Sequence, residues 1–379
     1  MDSAVLRYAP QEFSPDWAVP PGRMILRELE AGGFSQADIA ARANISAKHL
    51  NQIVKGHVPL TPEVAVSLER VLGASADTWL RMEATWQAHR VRLSAQESFA
   101  TLAAWVRKFP ARLLRSRRIT DDAMSLADQA DSLLRFFQVA DAHAFDRVWL
   151  TPQASYKRSQ KFDIDPYATA LWLRLTEVEA ERLVPMANQY DADALKTIAH
   201  QVPALTRLPF EDGFRRAQDL LASAGVLLVF VPEVDKTRIT GASRWLHATH
   251  PVIALTGRHK FLDVFWFALL HEIGHVLLHP KRATYLDVEK ARGADDDHDR
   301  QETAANKFAE SLIMQGTNRA ELLDIEDEPG LRHLAARLNV APGILAGQYG
   351  FAAGDWRKFA KLRESVDIAA ELALNPIPS

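Results

Sequence analysis

The chain has 379 residues, of which 47% are hydrophobic and 25% charged, with a formal net charge of −3 and no cysteine. That length calls for two or three domains, and no apolar run reaches the roughly 18 residues of a membrane-spanning helix. Without cysteine there is no disulfide and no thiolate metal site, so a transition metal would have to be held by His, Asp and Glu alone. The small negative charge does not mark a nucleic-acid binder, and any DNA binding must rest on local features. The opening "MDSAVLRYAPQEFSPDWAVPPG" lacks a basic segment followed by an apolar core, so no secretory signal is expected and the cytoplasm is the expected location.

From Pro21 to Arg92 the spacing predicts five short helices, "GRMILRELEAGG", "SQADIAARA", "SAKHLNQIVKG", "TPEVAVSLERVLG" and "SADTWLRMEATWQAH". Ser35, Ser46, Thr61 and Ser75 stand where N-caps belong, Gly33, Gly56 and Gly73 where helices stop, and Pro62 in a first turn. The second and third helices, with a turn around "ANI", have helix-turn-helix spacing, and Ile39, Ala40, Ile45, Leu50 and Ile53 would close the core between them. Residues 1–92 carry ten basic and ten acidic side chains, without the positive excess common in DNA binders.

This segment resembles the XRE family of phage-repressor-like DNA-binding domains, and "LGASADTWLRMEATW" resembles the HigA-type antitoxins. The resemblance implies that the helix starting at Ser46 enters the major groove of double-stranded operator DNA. Ala47, Lys48 and Gln52 would then face base edges, while Gln36, Ser46 and Lys55 lie near phosphates. It also implies a homodimer, because one helix-turn-helix reads only a half-site. No sustained heptad pattern marks the dimer interface.

Residues 93–210 read as a helical connector between a DNA-binding domain over 1–92 and a third domain over 211–379. Within the connector, "RKFPARLLRSRR" packs Arg107, Lys108, Arg112, Arg115, Arg117 and Arg118 together, and a solvated helix face accounts for that run better than a phosphate contact. The texture then changes at "GVLLVFVPEV" and "HPVIALTGR", two apolar runs bounded by Gly and Pro that predict short strands. The fold class expected is mainly α with a small α+β part, the latter a short sheet in the C-terminal domain.

Residues 261–279 contain no proline and predict a helix ended by Pro280. On it, His271 and His275 are four apart and share one face, as two imidazoles must to bind one metal ion, and Glu272 stands beside the first. With thirteen histidines in the chain, H-E-x-x-H alone is a weak signal, and catalytic zinc needs a third protein ligand. His279 lies more than two turns from His271 and is not expected to reach the same ion, while Leu278 and Lys281 exclude the three-histidine pattern with its conserved-type Gly. The segment "RQETAANKFAESLIM" predicts a second helix with Ala304, Phe308 and Leu312 on an inward face that begins at Glu302. Glu302 is the candidate third ligand, and Asn306, one turn on, is placed to orient a ligating His. As a lone pair those two would be an ordinary solvated face; beside H-E-x-x-H the ligand reading is preferred.

"HEIGHVLLH" followed by "ETAANKFA" resembles the ImmA/IrrE-type zinc metallopeptidases, whose pattern is H-E-x-G-H-x-x-x-H and, some way on, E-x-x-A-N-x-F-A. That resemblance implies a zincin-like domain of gluzincin type, zinc as cofactor, His271, His275 and Glu302 as its ligands, and Glu272 as general base. Gln315 replaces the Pro usual after the Met, which touches loop geometry more than chemistry. For oxyanion stabilisation Arg258, His259, Tyr285 and His298 are all candidates, and no spacing selects among them. The tail "LRHLAARLNVAPGILAGQYGF" predicts helix, turn and helix, a segment also found after the peptidase motif in long HigA-like chains.

Two functions of different classes follow. The first is a DNA-binding regulator carrying a zinc-dependent endopeptidase that cuts a repressor or antitoxin partner, or its own chain. The second is a HigA-like antitoxin and autorepressor whose C-terminal domain only binds metal or holds a toxin or other partner.

Overall fold

In the computed structural model, residues 18–99, 102–150, 164–246, 249–279, 285–288 and 296–372 are described, apart from the side chains of 92–99, 285–288 and 296–299. The described chain divides into two compact units, residues 18–106 with 121–133 and residues 107–120 with 134–372. No described helix is long and apolar enough to cross a membrane.

The N-terminal unit holds the five expected helices, α1 (Pro21–Gly32), α2 (Gln36–Arg42), α3 (Ala47–Val54), α4 (Pro62–Leu72) and α5 (Ala76–Phe99). Each starts on a local signal. Ser35 Oγ accepts from the Asp38 amide at 3.2 Å while Asp38 accepts from the Ser35 amide at 2.9 Å, a reciprocal capping box. Ser46, Thr61 and Ser75 cap α3, α4 and α5 through their hydroxyls. Gly33 and Gly73 end α1 and α4 in the left-handed conformation, and Asn44 takes the same conformation in the turn between α2 and α3. The helices close on a core of Ile25, Leu29, Ile39, Leu50, Ile53, Leu68 and Trp79, with Ile45 half-buried at its edge. α1 and α3 cross closely because Gly22 has no side chain, and a Cβ there would run into the Val54 carbonyl.

The C-terminal unit begins with helices packed on an aromatic cluster of Phe109, Phe137, Phe145, Trp149 and Tyr167, whose rings meet mostly edge to face at centroid distances of 4.8 to 5.7 Å. In the arginine-rich run, Arg107, Lys108, Arg112, Arg115 and Arg118 are exposed, whereas Arg117 turns inward, where burial lowers its pKa. Helices α6 (Pro166–Leu183), α7 (Ala192–Ala199) and α8 (Phe210–Ser223) then lead into a sheet.

That sheet has four strands in the order β1-β3-β2-β4, built from β1 (Leu227–Phe230), β2 (Ile239–Leu246), β3 (His250–Leu255) and β4 (Tyr285–Val288). β1 runs parallel to β3, and β2 is antiparallel to both of its neighbours. The sequence predicts β1 and β3 from their apolar runs, but not β2 or β4. Against the sheet lies α9 (Leu262–Leu278), buried on almost every side, as expected of a helix apolar all round. Its first turn is anchored by Asp263, which accepts from Arg363 at 2.9 and 3.0 Å beside Gly347. α10 (Asp296–Met314) crosses α9, and α11 (Glu328–Arg337) with α12 (Pro342–Ala353) forms the helix-turn-helix tail that the sequence predicts.

The inward face of α10 departs from expectation. Glu302, Ala305, Ala309, Leu312, Ile313 and Met314 are buried, and Ala304 and Phe308 are only half-buried. Where the helices meet at Gly274, Ala305 lies against the bare backbone and the half-buried Phe308 packs beside it.

Gly22→Ala separates two opposed effects. Alanine is the better helix former by about 1 kcal/mol, but forcing a methyl against the backbone costs about 1–3 kcal/mol. The expected outcome is a lower melting midpoint for the helix-turn-helix unit by circular dichroism; a raised midpoint would show that α1 stands off α3.

Candidate metal centre

The H-E-x-x-H residues fall in the third and fourth turns of α9, whose four-residue spacing stacks His271 over His275 with ring centroids 4.6 Å apart. Their Nε2 atoms are 2.9 Å apart. Glu302 enters from α10, its carboxylate oxygens 3.3 Å from His275 Nε2 and 3.7 Å from His271 Nε2. All three side chains are buried, and one ligand atom from each lies within 4.8 Å of the other two.

These separations suit a small cation. Ligand atoms at about 2.0–2.2 Å from a tetrahedral zinc ion stand about 3.4 Å from one another, and the observed values of 2.9 to 3.7 Å bracket that figure. Two imidazoles and one carboxylate, with no thiolate, are also the donor types of a catalytic rather than a purely structural zinc site. Asn306, one turn along α10 from Glu302, accepts from His271 Nδ1 at 3.0 Å through Oδ1. That bond puts the proton on Nδ1 and leaves the Nε2 lone pair facing the cluster.

Glycine makes the convergence possible. A Cβ at Gly274 would lie 3.2 Å from the Ala305 Cα and 3.2 Å from a ring atom of Phe308, so the bare backbone lets α10 come close enough to deliver Glu302. On the other side of α9, Glu272 is fully buried and its carboxylate lies against Gly241 of β2. The signal for Gly241 in the sequence is a lone glycine amid "RITGASRW", which marks a bulge or a close approach in a strand.

Burial governs the charge of the imidazoles. It drives the His275 pKa down to about 4, opposed by its bond to Glu302 and reinforced by the neighbouring His271. Burial also lowers His279, which caps the end of α9 with extended backbone and places Nε2 3.1 Å from the Gln301 carbonyl. His279 stays outside the three-residue cluster, as its spacing predicts.

The other candidates scatter. Arg258 is paired with Glu233, His259 is exposed, and both precede the start of α9, roughly 14 Å of helix from His271. The side chains of Tyr285 and His298 lie outside the described residues. In the N-terminal unit, Ala47 and Lys48 are exposed in the first turn of α3, with Gln52 one turn on and half-buried. Lys55 is exposed at the C-cap of α3, Gln36 is half-buried at the start of α2, and the exposed Ser46 is the N-cap of α3.

Comparison with known proteins matches two separate segments of the chain. The helix-turn-helix family model matches residues 25–79, and a peptidase family model described as the IrrE N-terminal-like domain matches residues 224–346. Over 66 residues the chain is 30% identical to an Escherichia coli (strain K12) protein described as the uncharacterized HTH-type transcriptional regulator YddM, covering 17% of this chain and 70% of that one.

The lowered His275 pKa fixes the sign of a pH effect. Because the unfolded chain takes up this proton near pH 6.5 and the folded chain only near about 4, the contribution is full above 6.5 and is lost on acidification across that window. Metal-free protein is expected to melt at falling temperature from pH 7 to 4.5, with a shallower fall in His275→Gln. Parallel slopes in the two would overturn the assignment of this histidine.

Proposed function

The chain belongs to the helix-turn-helix family of transcriptional regulators and carries an IrrE N-terminal-like domain. From that premise we propose a DNA-binding regulator whose C-terminal domain is a zinc-dependent endopeptidase acting on a protein. Its target would be a repressor or antitoxin partner, or the chain itself. The observation that carries this reading is the buried convergence of His271, His275 and Glu302, with a further buried carboxylate, Glu272, next in sequence to the first imidazole. A structural core has no use for four such groups together, since burying each is costly unless it is put to use.

His271, His275 and Glu302 would hold the ion. Bound zinc would supply Lewis acidity at a peptide carbonyl and make water a stronger acid. The protein's own part is positional and protonic. Asn306 holds the His271 tautomer, burial keeps His275 neutral and able to donate its lone pair, and Glu302 contributes the anionic oxygen. Glu272 would take the proton of the attacking water and return it to the leaving amine.

For the N-terminal unit, α3 would lie in the major groove. Lys48 would donate to guanine and Gln52 pair with adenine, four residues apart on one face, with Ala47 beside them. Gln36 and Lys55 would reach phosphates, and Ser46, whose Oγ accepts from the His49 amide, keeps its own O–H to donate. A second copy would read the other half-site.

Zinc content and cleavage separate the residue roles. Full-length protein should hold about one zinc per chain; Glu302→Gln should lower affinity at least tenfold, and Glu272→Gln should keep the metal while cutting about 10²–10⁴-fold more slowly. Equal zinc in wild type and Glu302→Gln would sink the ligand set. Bound metal with no cleavage of any co-purified or self substrate would move the C-terminal domain to the role of a binding module.

The DNA contacts are tested by footprinting with Lys48→Ala/Gln52→Ala. Each good base contact is worth about 1–3 kcal/mol of discrimination, so operator selectivity should disappear while weak low-salt binding persists. An unchanged footprint would refute the placement of α3.

A further inference from the structure

Gly241 occupies a tightly constrained point of β2. It pairs with Leu255 of β3 on one side and Asp287 of β4 on the other, and the register of β2 against β4 slips between Ile239 and Gly241. That irregularity is pinned by buried Thr256, which donates its amide to the Thr240 carbonyl at 3.1 Å and its hydroxyl to the Ile239 carbonyl at 2.7 Å. The strand is therefore held in place and cannot back away from the helix it faces. α9 is held as well, by burial along its length and by the Asp263 to Arg363 ion pair at its start.

Between these two fixed walls stands the Glu272 side chain. A Cβ at Gly241 would lie 2.9 Å from Glu272 Oε1, 3.2 Å from Glu272 Cγ and 3.1 Å from Leu255 Cδ2. The first of these is closer than real side chains come, and the other two are tight. Both neighbouring side chains can rotate about their own bonds, but the Glu272 carboxylate oxygen is the closest and must give way most, whereas displacing strand or helix would break paired backbone and packed core. The three atoms nearest this Cβ belong to Glu272 and Leu255, none of them to His271, His275 or Glu302.

We propose that Gly241 is a positioning residue for Glu272: its bare backbone is the space that fixes where the carboxylate stands relative to the metal ligands, and any side chain there displaces the carboxylate without touching the ligand set. This rests on the reading of Glu272 as the proton acceptor beside a metal. It adds a constraint from the sheet to a site otherwise built on two helices.

Cobalt(II) in place of zinc gives a readout that does not depend on a substrate. The full-length chain would be loaded with cobalt as wild type, Gly241→Ala, Glu272→Gln and the double variant, and the pH midpoint of the visible absorption change would be measured alongside metal content. All four are expected to hold equal cobalt. Gly241→Ala is expected to move the midpoint by about half a pH unit or more, because the carboxylate proposed to accept the proton of a metal-bound water would be displaced. In the Glu272→Gln background the same substitution is expected to move nothing, since no charged group remains to displace. An unmoved midpoint in Gly241→Ala, or an equal shift in both backgrounds, overturns the assignment. So does loss of cobalt from Gly241→Ala, which would make the glycine a determinant of the fold. A wild type that holds no metal refutes the proposed function, and this assignment with it.

Discussion

Burying two imidazoles and two carboxylates in one apolar region is expensive unless the groups serve one another or a shared cation, and the C-terminal unit is arranged around that constraint. The cost is visible in His275, whose pKa burial drives to about 4. Glu302 can be buried because it reaches both imidazoles, and His271 because Asn306 satisfies its outer nitrogen. A bound divalent cation would reverse the electrostatic balance, turning lone pairs and negative charge that are costly to bury into favourable ligands.

Three bare-backbone positions differ in what stands against them. At Gly22 the obstacle is the Val54 backbone, so a side chain there is a matter of fold stability. At Gly274 it is a facing helix, so a side chain would withdraw Glu302 from the histidines. At Gly241 it is the movable end of Glu272, so the same chemical change would alter chemistry before it altered folding. Graded stiffness of the neighbour, rather than glycine itself, decides the consequence.

Local signals were legible in the sequence and distant ones were not. Four of the five N-terminal helices could be read because their caps, Ser35, Ser46, Thr61 and Ser75, act within three residues of themselves, and the first because it ends at Gly33. β1 and β3 could be read as unbroken apolar runs. β2 could not, because it mixes Thr240, Gly241, Ser243 and Arg244, and two of these answer to distant partners. Arg244 pairs with Glu177 of α6 at 2.8 Å, and Gly241 makes room for Glu272. The buried face of α10 was read only in part: Leu312 is buried as hydrophobicity predicts, whereas Phe308 is half-buried with a ring edge against Gly274 beside the fully buried Ala305. The cluster of His271, His275 and Glu302 was legible because two of its members share a helix face and the third begins a recognisable one.

The balance of charge bears on how a regulator of this build could be switched. With ten basic and ten acidic side chains over residues 1–92, the helix-turn-helix unit lacks the positive excess that strengthens the non-specific hold of most such domains. On the proposed reading, affinity then depends on base contacts from the first turns of α3 and on two copies binding together, where each half-site raises the effective concentration of the other. A complex that leans on joint binding is sensitive to the loss of one copy. If the proposed cleavage occurs, cutting the chain or a partner that holds two copies together would release DNA without any change at the protein–DNA contacts themselves, which would give a physical reason for a helix-turn-helix and an IrrE N-terminal-like domain to share one polypeptide.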